Sequence, residues 1–348
     1  MKAVVFWGNG DIRYMDYAEP RLAPGTVKVR VFAAGICGSD LPRALGTGAH
    51  QYPIVLGHEF SGRVVEVGEG VEGLAVGDTV ACAPLLPCMA CPDCQMGNYS
   101  LCRHYSFIGS REQGGFADMV VIPAKNAIKY DPSIPYETAA MFEPATVSLH
   151  GLLVNDYRAG GTVAILGCGT IGIFALQWAK IFGAKIILAY DIDGQRLGLA
   201  QRMGADVCIN TKTQDYLAET MRVTQNRGCD FVFEAAGNPV TMKMGYEIAA
   251  NKANYCCIGT PRRDMTFTVK QWEAMNRKEF HLTGSWMSYS APFPGREWTL
   301  TAHCFATGQL KFDPAFIYRQ YPMSRADEAF ACFQHPEQVH GKILLRNS

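Results

Sequence analysis

Four cysteines, Cys88, Cys91, Cys94 and Cys102, follow the spacing C-x2-C-x2-C-x7-C. Thiolates that dense in sequence close a tetrahedron around one zinc ion, and a site whose four positions are all protein shapes a loop but cannot bind substrate. Ordinary free thiols and an iron–sulfur cluster are the competing readings. A different set is Cys37 in GICGSD, His58 in GHEFSG and Glu143 in FEPATVSLH. One sulfur, one imidazole and one carboxylate leave the fourth position of a zinc ion for water or a substrate oxygen, which is what catalysis requires. Spacing alone equally admits a structural histidine with its hydrogen bonds satisfied.

A third constellation is G-C-G-T-I-G, in which Gly167, Gly169, Thr170, Ile171 and Gly172 follow the apolar run TVAIL and open a run of helical spacing. Glycines so placed permit a tight turn, let a pyrophosphate approach the backbone, and let the helix pack on the strand, with its N-terminus facing the negative charge. Asp191 ends the next apolar run, about 20 positions further on, where a carboxylate accepts hydrogen bonds from an adenosine ribose and repels a 2′-phosphate. NAD is therefore expected rather than NADP. Arg196 stands close behind as a cation able to stack on adenine, and a helix N-cap is the plain alternative for Asp191.

The elements that position these groups have two textures. From Met1 to about Ala83, short β-branched runs (KAVVFW, TVKVRVFAAGIC, GRVVEVGEGV, DTVACAP) are separated by Gly and Pro, the pattern of a β-rich domain. Pro84 to about Gly109 lacks periodicity and needs something other than an apolar core to hold it. From Gly151 the strands TVAILG, KIILAYD, FVFEAAG and ANYCCIG alternate with helical segments such as IGIFALQWAKIFG, which predicts βαβ units and a parallel sheet. The closing KILLRN reads as an edge strand that rejoins the first domain. The expected organisation is α/β: a β-rich domain over 1–150 with a metal lobe at 84–109, a doubly wound dinucleotide domain over 151–284, and a return over 285–348.

A chain of 348 residues suits about two domains. Lys+Arg 32 against Asp+Glu 32 leaves no net charge, so nothing global recruits nucleic acid or an anionic membrane. An anionic ligand must be held locally. Arg43 and Arg111, close to the zinc motifs, are candidates for a substrate phosphate, with solvated surface arginine as the alternative. Thirteen cysteines and an opening, MKAVVFWGNGDIR, without a long apolar stretch point to reduced thiols in the cytosol. No run approaches the roughly 18 apolar residues of a membrane span. Cys168, Cys256 and Cys257 fit core packing.

The run GHEFSGRVVEVGEGV resembles the zinc signature of medium-chain alcohol dehydrogenases, G-H-E-x2-G-x5-G-x2-V, with Gly57, His58, Glu59, Gly62, Gly68 and Val71 on its fixed positions. With GICGSD, the four-cysteine lobe and the glycine motif in the family's order, the resemblance covers essentially the whole chain. It implies a GroES-like catalytic domain interrupted by a Rossmann domain, with the active site in the cleft between them. It implies two Zn²⁺ per chain, one held by Cys37, His58 and Glu143, and one structural. Glu59 is then a group behind the ligands or an alternating ligand, and Ser39 the first acceptor of the substrate proton.

Glu at position 143 is similar to the sorbitol dehydrogenase branch. The segments GICGSDLPR, GAHQYPIVLGHEFSG, FIGSREQGGFAD and GSWMSYSAPFPGREW are similar to members that act on phosphorylated hexitols. The implied reaction is oxidation of galactitol 1-phosphate to tagatose 6-phosphate with NAD, by a dimer or tetramer. The chain departs from the family pattern twice. Leu41, Pro42 and Arg43 stand where many relatives carry a relay histidine, leaving His50 or water as substitutes, and GSWMSY lacks the arginine of sorbitol-type enzymes. A dehydrogenase of free polyols is the alternative. A zinc-ribbon binding module is a remote one, which the neutral charge and the lobe's place inside a dehydrogenase framework oppose.

Overall fold

The computed structural model describes residues 1–261 and 263–347, and the counts and absences below refer to those residues. Two compact units are formed, one by 1–143, 289–308 and 312–348, the other by 144–288 and 309–311. Among the described residues no helix is long and apolar enough to cross a membrane.

The first unit is organised by strand Thr26–Gly35, whose Val27, Val29 and Val31 are buried. Alternating β-branched residues of this kind suit a pleated surface with one face on a core. This strand pairs antiparallel with Glu59–Val67, Met119–Pro123 and Lys342–Arg346, and the register sets Gly35 opposite both Glu59 and Leu344. Thr79–Cys82 and Ala127–Lys129 extend the sheet on one side, and Ile317–Pro322 extends it on the other. The C-terminal run is therefore an interior strand, contrary to the edge expected for it. Ile343, Leu344 and Leu345 have no accessible surface, and an uninterrupted apolar run is what two covered faces demand.

The second unit holds six parallel strands in the order Val207–Asn210, Ile186–Asp191, Thr162–Leu166, Cys229–Glu234, Ala249–Cys257 and His281–Gly284. This is the doubly wound order, with its switch point between the third and fourth of these strands. Helices Thr170–Ile181, Gly194–Met203, Tyr216–Val223, Pro239–Ile248 and Val269–Lys278 lie on the five connections between them. The chain passes from the first unit to the second between Glu143 and Pro144, inside helix Phe142–Val154. Composition put that change at 150–151, because a continuous helix carries no break in texture where it changes units.

Phe330 ties the C-terminal segment to the first strand, its ring lying 5.3 Å from Phe6 and 6.2 Å from Phe116, all three fully buried. Phe330→Ala is expected to destabilise this unit by about 3–5 kcal/mol through lost burial and a residual cavity. Urea unfolding followed by tryptophan fluorescence checks it.

Candidate metal and dinucleotide sites

In the four-cysteine lobe the thiols converge on one point. Cys88 and Cys94 sulfurs are 4.0 Å apart, as are those of Cys91 and Cys102, and all four lie within 4.8 Å of one another. Zinc bonds of about 2.3 Å in a tetrahedron require sulfurs about 3.8 Å apart. Backbone N–H groups already point at the sulfurs: Cys91 donates to Cys88 Sγ at 3.3 Å and Cys88 donates to Cys102 Sγ at 3.2 Å. The N–H groups of Cys94 and Arg103 hold the Cys91 thiol down to about 6, whereas burial pushes Cys94 up to about 12. Four adjacent thiolates need a cation to ionise together. Beyond the cysteines, Tyr99 and Tyr105 are the apolar side chains packed on this cluster among the described residues, and the lobe is tied to its surroundings by Tyr99, edge-on to Phe293 at 5.4 Å, and by the Tyr289 N–H, which donates to Ser100 Oγ at 3.3 Å; the donor set fits a structural zinc.

The second cluster is a product of strand register. Cys37 lies just past the end of Thr26–Gly35, and Glu59 begins the antiparallel strand that faces it, with His58 one residue earlier. Pairing of Gly35 with Glu59 thus brings Cys37, His58 and Glu59 together, with ligand atoms within 4.8 Å. Asp40, fully buried, fixes the turn: its Oδ2 accepts the Cys37 N–H at 2.9 Å while its own N–H donates to the Cys37 carbonyl at 3.0 Å. Asp40 Oδ1 also faces His58 Nδ1 at 3.4 Å, an orienting carboxylate of the kind that sets imidazole ligands. The edge of His58 lies on Phe107, with centroids 5.6 Å apart.

Two members of this site were not singled out from sequence. Asp40 is the D of GICGSD, three residues after a candidate ligand, and that proximity was its signal. Lys342 gave only the faint signal of a lysine opening an apolar strand, yet its ammonium contacts Glu59 Oε1 at 2.8 Å and Oε2 at 2.7 Å, with both side chains buried.

Glu143 sits in the first turn of helix Phe142–Val154, where Pro144 loses no needed hydrogen bond. It stands outside the tightest group of three, but its carboxyl feels the whole cluster. Burial raises its pKa to about 7, Glu59 and Asp40 push the same way, and His58 and Lys342 oppose them. Burial works against a charge on His58, but Asp40 and Cys37 outweigh it and hold the imidazole well above its usual pKa. Asp40 Oδ1, His58 Nδ1 and Glu59 Oε2 are buried and meet their neighbours as ion pairs, without an aligned hydrogen bond. One sulfur, one imidazole and a carboxylate with ligand atoms within 4.8 Å of one another fit zinc.

Beside this cluster Arg43 turns back on the Cys37–Asp40 turn, its Nη1 donating to the Ser39 carbonyl at 2.8 Å and to Ser39 Oγ at 3.1 Å. Arg111 stacks over Tyr105 at 4.4 Å. The segment 50–52 joins the two arginine regions: Gln51 Nε2 donates to the Arg111 carbonyl at 3.0 Å and Tyr52 OH to that of Arg43 at 2.9 Å. His50 lies in their field, since burial and then the charges of Arg111 and Arg43 lower its pKa.

In the second unit the glycine motif lies where strand Thr162–Leu166 turns into helix Thr170–Ile181. A Cβ at Gly172 would meet the Gly167 carbonyl oxygen at 1.8 Å, and Gly167 has φ +93°, so both positions require glycine. A Cβ at Gly169 would meet nothing, and the helix has no side-chain cap. That leaves room and free N–H groups for a pyrophosphate. Thr170 and Ile171 form the first turn. Gly167, Gly169, Asp191, Arg196, Ala236 and Thr241 help line a cavity of about 440 Å³. Asp191 accepts N–H groups from Cys168 at 2.8 Å, Ile192 at 2.8 Å and Asp193 at 3.0 Å. The helix cap proposed as its alternative role belongs to Asp193, whose side chain accepts from Gln195. The site fits a dinucleotide.

Residues 23–133 match the alcohol dehydrogenase GroES-like domain, and 170–302 match the zinc-binding dehydrogenase family. The chain is 40% identical over 320 residues to galactitol 1-phosphate 5-dehydrogenase of Escherichia coli K12, covering 92% of each. The crystal structure of galactitol-1-phosphate dehydrogenase from Escherichia coli superposes with a TM-score of 0.94 at 38% identity over 100% of both chains. Two other similar structures hold nicotinamide cofactors. A zinc-binding dehydrogenase from Sinorhizobium meliloti 1021 is bound to NADP (TM-score 0.89, 29% identity, 99% of each chain), and an alcohol dehydrogenase from E. coli CFT073 is complexed with NADH (0.88, 27%, 100% of this chain and 99% of that one).

Cys37→Ala is expected to leave one zinc per chain and a folded protein without turnover, while Cys91→Ala lowers thermal stability; metal analysis and calorimetry distinguish them. A proton on His58 competes with zinc for the imidazole lone pair, and because Asp40 and Cys37 hold this group well above its usual pKa, affinity at the Cys37 site should fall as pH drops, with protonation of the neighbouring Glu143 near 7 weakening the anionic cluster further. Chelator competition at pH 6 and pH 8 checks the sign.

Proposed function

Because the chain belongs to the zinc-dependent medium-chain alcohol dehydrogenase family and is a dehydrogenase of that family, we propose that it oxidises a secondary hydroxyl of a polyol phosphate, galactitol 1-phosphate to tagatose 6-phosphate. NAD is the oxidant in this reading. The observation that carries the phosphate is the grouping of Arg43, His50 and Arg111 around segment 50–52, next to the turn that presents Cys37. A phosphomonoester is a dianion near neutral pH, and planar guanidinium groups bind it through charge-assisted hydrogen bonds.

Cys37, His58 and Glu143 would hold the catalytic zinc, with Glu59 behind them, and Cys88, Cys91, Cys94 and Cys102 the structural one. When bound, zinc acidifies the substrate hydroxyl and NAD accepts the hydride. Asp40 orients His58 and anchors the Cys37 amide, which keeps both donors in place. Arg43 occupies one lone pair of Ser39 Oγ, leaving the other to receive the substrate proton. Ser39 is exposed, so solvent takes the proton onward without the histidine that many relatives carry. Asp191, fixed by three N–H donors, favours NAD by repelling a 2′-phosphate. Arg196 lines the same cavity.

Thirteen cysteines, all free thiols, suit the cytoplasm. A homo-oligomer, dimer or tetramer, is supported by strand His281–Gly284, which pairs on one side only among the described residues and exposes Leu282. No nucleic acid or membrane partner is proposed.

Initial rates with galactitol 1-phosphate, galactitol and sorbitol test the reading, with kcat/KM expected to favour the phosphate ester. Arg111→Met should raise KM for the ester about tenfold or more, the worth of a charged hydrogen bond, and leave the free polyols little changed. Equal kcat/KM for esterified and free forms would return the assignment to a free polyol.

A further inference from the structure

We propose that Glu234, a carboxylate with no accessible surface, is a positioning residue of the dinucleotide cavity: it holds the wall that segment 235–241 forms and so sets cofactor affinity without touching the cofactor. The inference rests on reading the cavity at the glycine motif as a dinucleotide site. Ala235, Ala236, Asn238, Val240 and Thr241 all line that cavity, facing Gly167 and Gly169 of the motif. This wall is a loop that runs into helix Pro239–Ile248, and a loop keeps one shape only where bonds hold it.

Glu234 supplies those bonds. Its Oε1 accepts the Ala236 N–H at 3.1 Å and the Thr241 hydroxyl at 2.7 Å, and its Oε2 accepts the Gly237 N–H at 3.1 Å. Its backbone carbonyl accepts the N–H groups of Ile258 and Gly259, each at 2.9 Å, which ties in the loop after the neighbouring strand. Register sets Leu166, Glu234 and Cys257 side by side, so this one residue stands at the ends of three adjacent strands, at the switch point of the sheet. The loops it joins leave no slack. A Cβ at Gly167 would lie 2.7 Å from that of Ala236, and one at Gly259 would lie 2.3 Å from the Gly237 nitrogen and 2.7 Å from Glu234 Oε2. A shift of segment 235–237 therefore has to displace the glycine motif or the loop at 258–259. The buried charge is itself sustained by these donors and by its place at the first turn of helix Pro239–Ile248, where Thr241 lies.

Binding of NADH, or of NADPH should the wild type prefer it, followed by cofactor fluorescence in the zinc-loaded enzyme, reads the wall without turnover. Glu234→Gln keeps the shape of the side chain but turns an amide N–H₂ towards the loop's own donors. The Kd is expected to rise about tenfold, the worth of a charged hydrogen bond, and KM for the cofactor with it, while kcat at saturating cofactor stays close to wild type. Ile248, fully buried at the far end of the same helix, supplies the control. Ile248→Val or Ile248→Ala, chosen to match the Gln variant in melting temperature, should leave the Kd unchanged. If the Gln variant does not fold, Glu234→Asp, which keeps the charge but draws it back from the loop, should weaken binding in the same direction. A folded Gln or Asp variant with the wild-type Kd overturns the proposal. So does an Ile248 variant that loses affinity to the same extent, because the effect is then a general loosening of the unit. Wild-type protein that binds neither NADH nor NADPH overturns the dinucleotide reading itself, a failure visible before any variant is made.

Discussion

The antiparallel pairing of Thr26–Gly35 with Glu59–Val67 is the contact on which the catalytic half of the molecule depends. It places the end of one strand beside the start of another, and the residues just beyond those ends are Cys37 and His58. A one-residue slip would turn Glu59 to the other face and part the sulfur from the imidazole. Gly35 makes the pairing possible at this point, since any side chain there would collide with the Glu59 carboxylate.

Charge is the second constraint. Asp40, Glu59 and His58 are buried, with Glu143 close by, and isolated buried charges are unfavourable unless paired or bound to metal. Lys342 supplies one positive charge from the far end of the sequence. Cys37, His58 and Glu59 bring ligand atoms within 4.8 Å of one another, a donor set able to hold a divalent cation against that excess. The same anions that raise the proton affinity of Glu143 and His58 also favour a cation, so the basis of the pH response and of the metal fit is shared.

The two metal clusters differ in what surrounds them. The Cys37 cluster lies at the edge of a core that includes Val29, Phe60 and Phe116, which persists whatever binds there. The buried cluster of the four-cysteine lobe consists of Cys91, Cys94 and Cys102, so a metal held there would form its interior. The dinucleotide unit needs no ion, because strand order and glycine sterics shape its pocket.

Much of this was legible in sequence because it depends on local spacing. Cys88, Cys91, Cys94 and Cys102 lie on one short loop, the glycine motif lies on one turn, and alternating strands and helices announce a parallel sheet. The two arginines and His50 were nameable as residues. Their gathering was not, because it depends on side-chain bonds from Gln51 and Tyr52 to distant backbone carbonyls. Lys342 is the clearest case of what tertiary structure alone decided. Nothing within its own segment calls for a cation. The charge it meets lies 283 positions away in the chain, and only the register of three strands brings the two together. Local physics fixes which side chains can act, while long-range strand pairing fixes which of them meet, because sequence spacing records neighbours along the chain and not across a sheet.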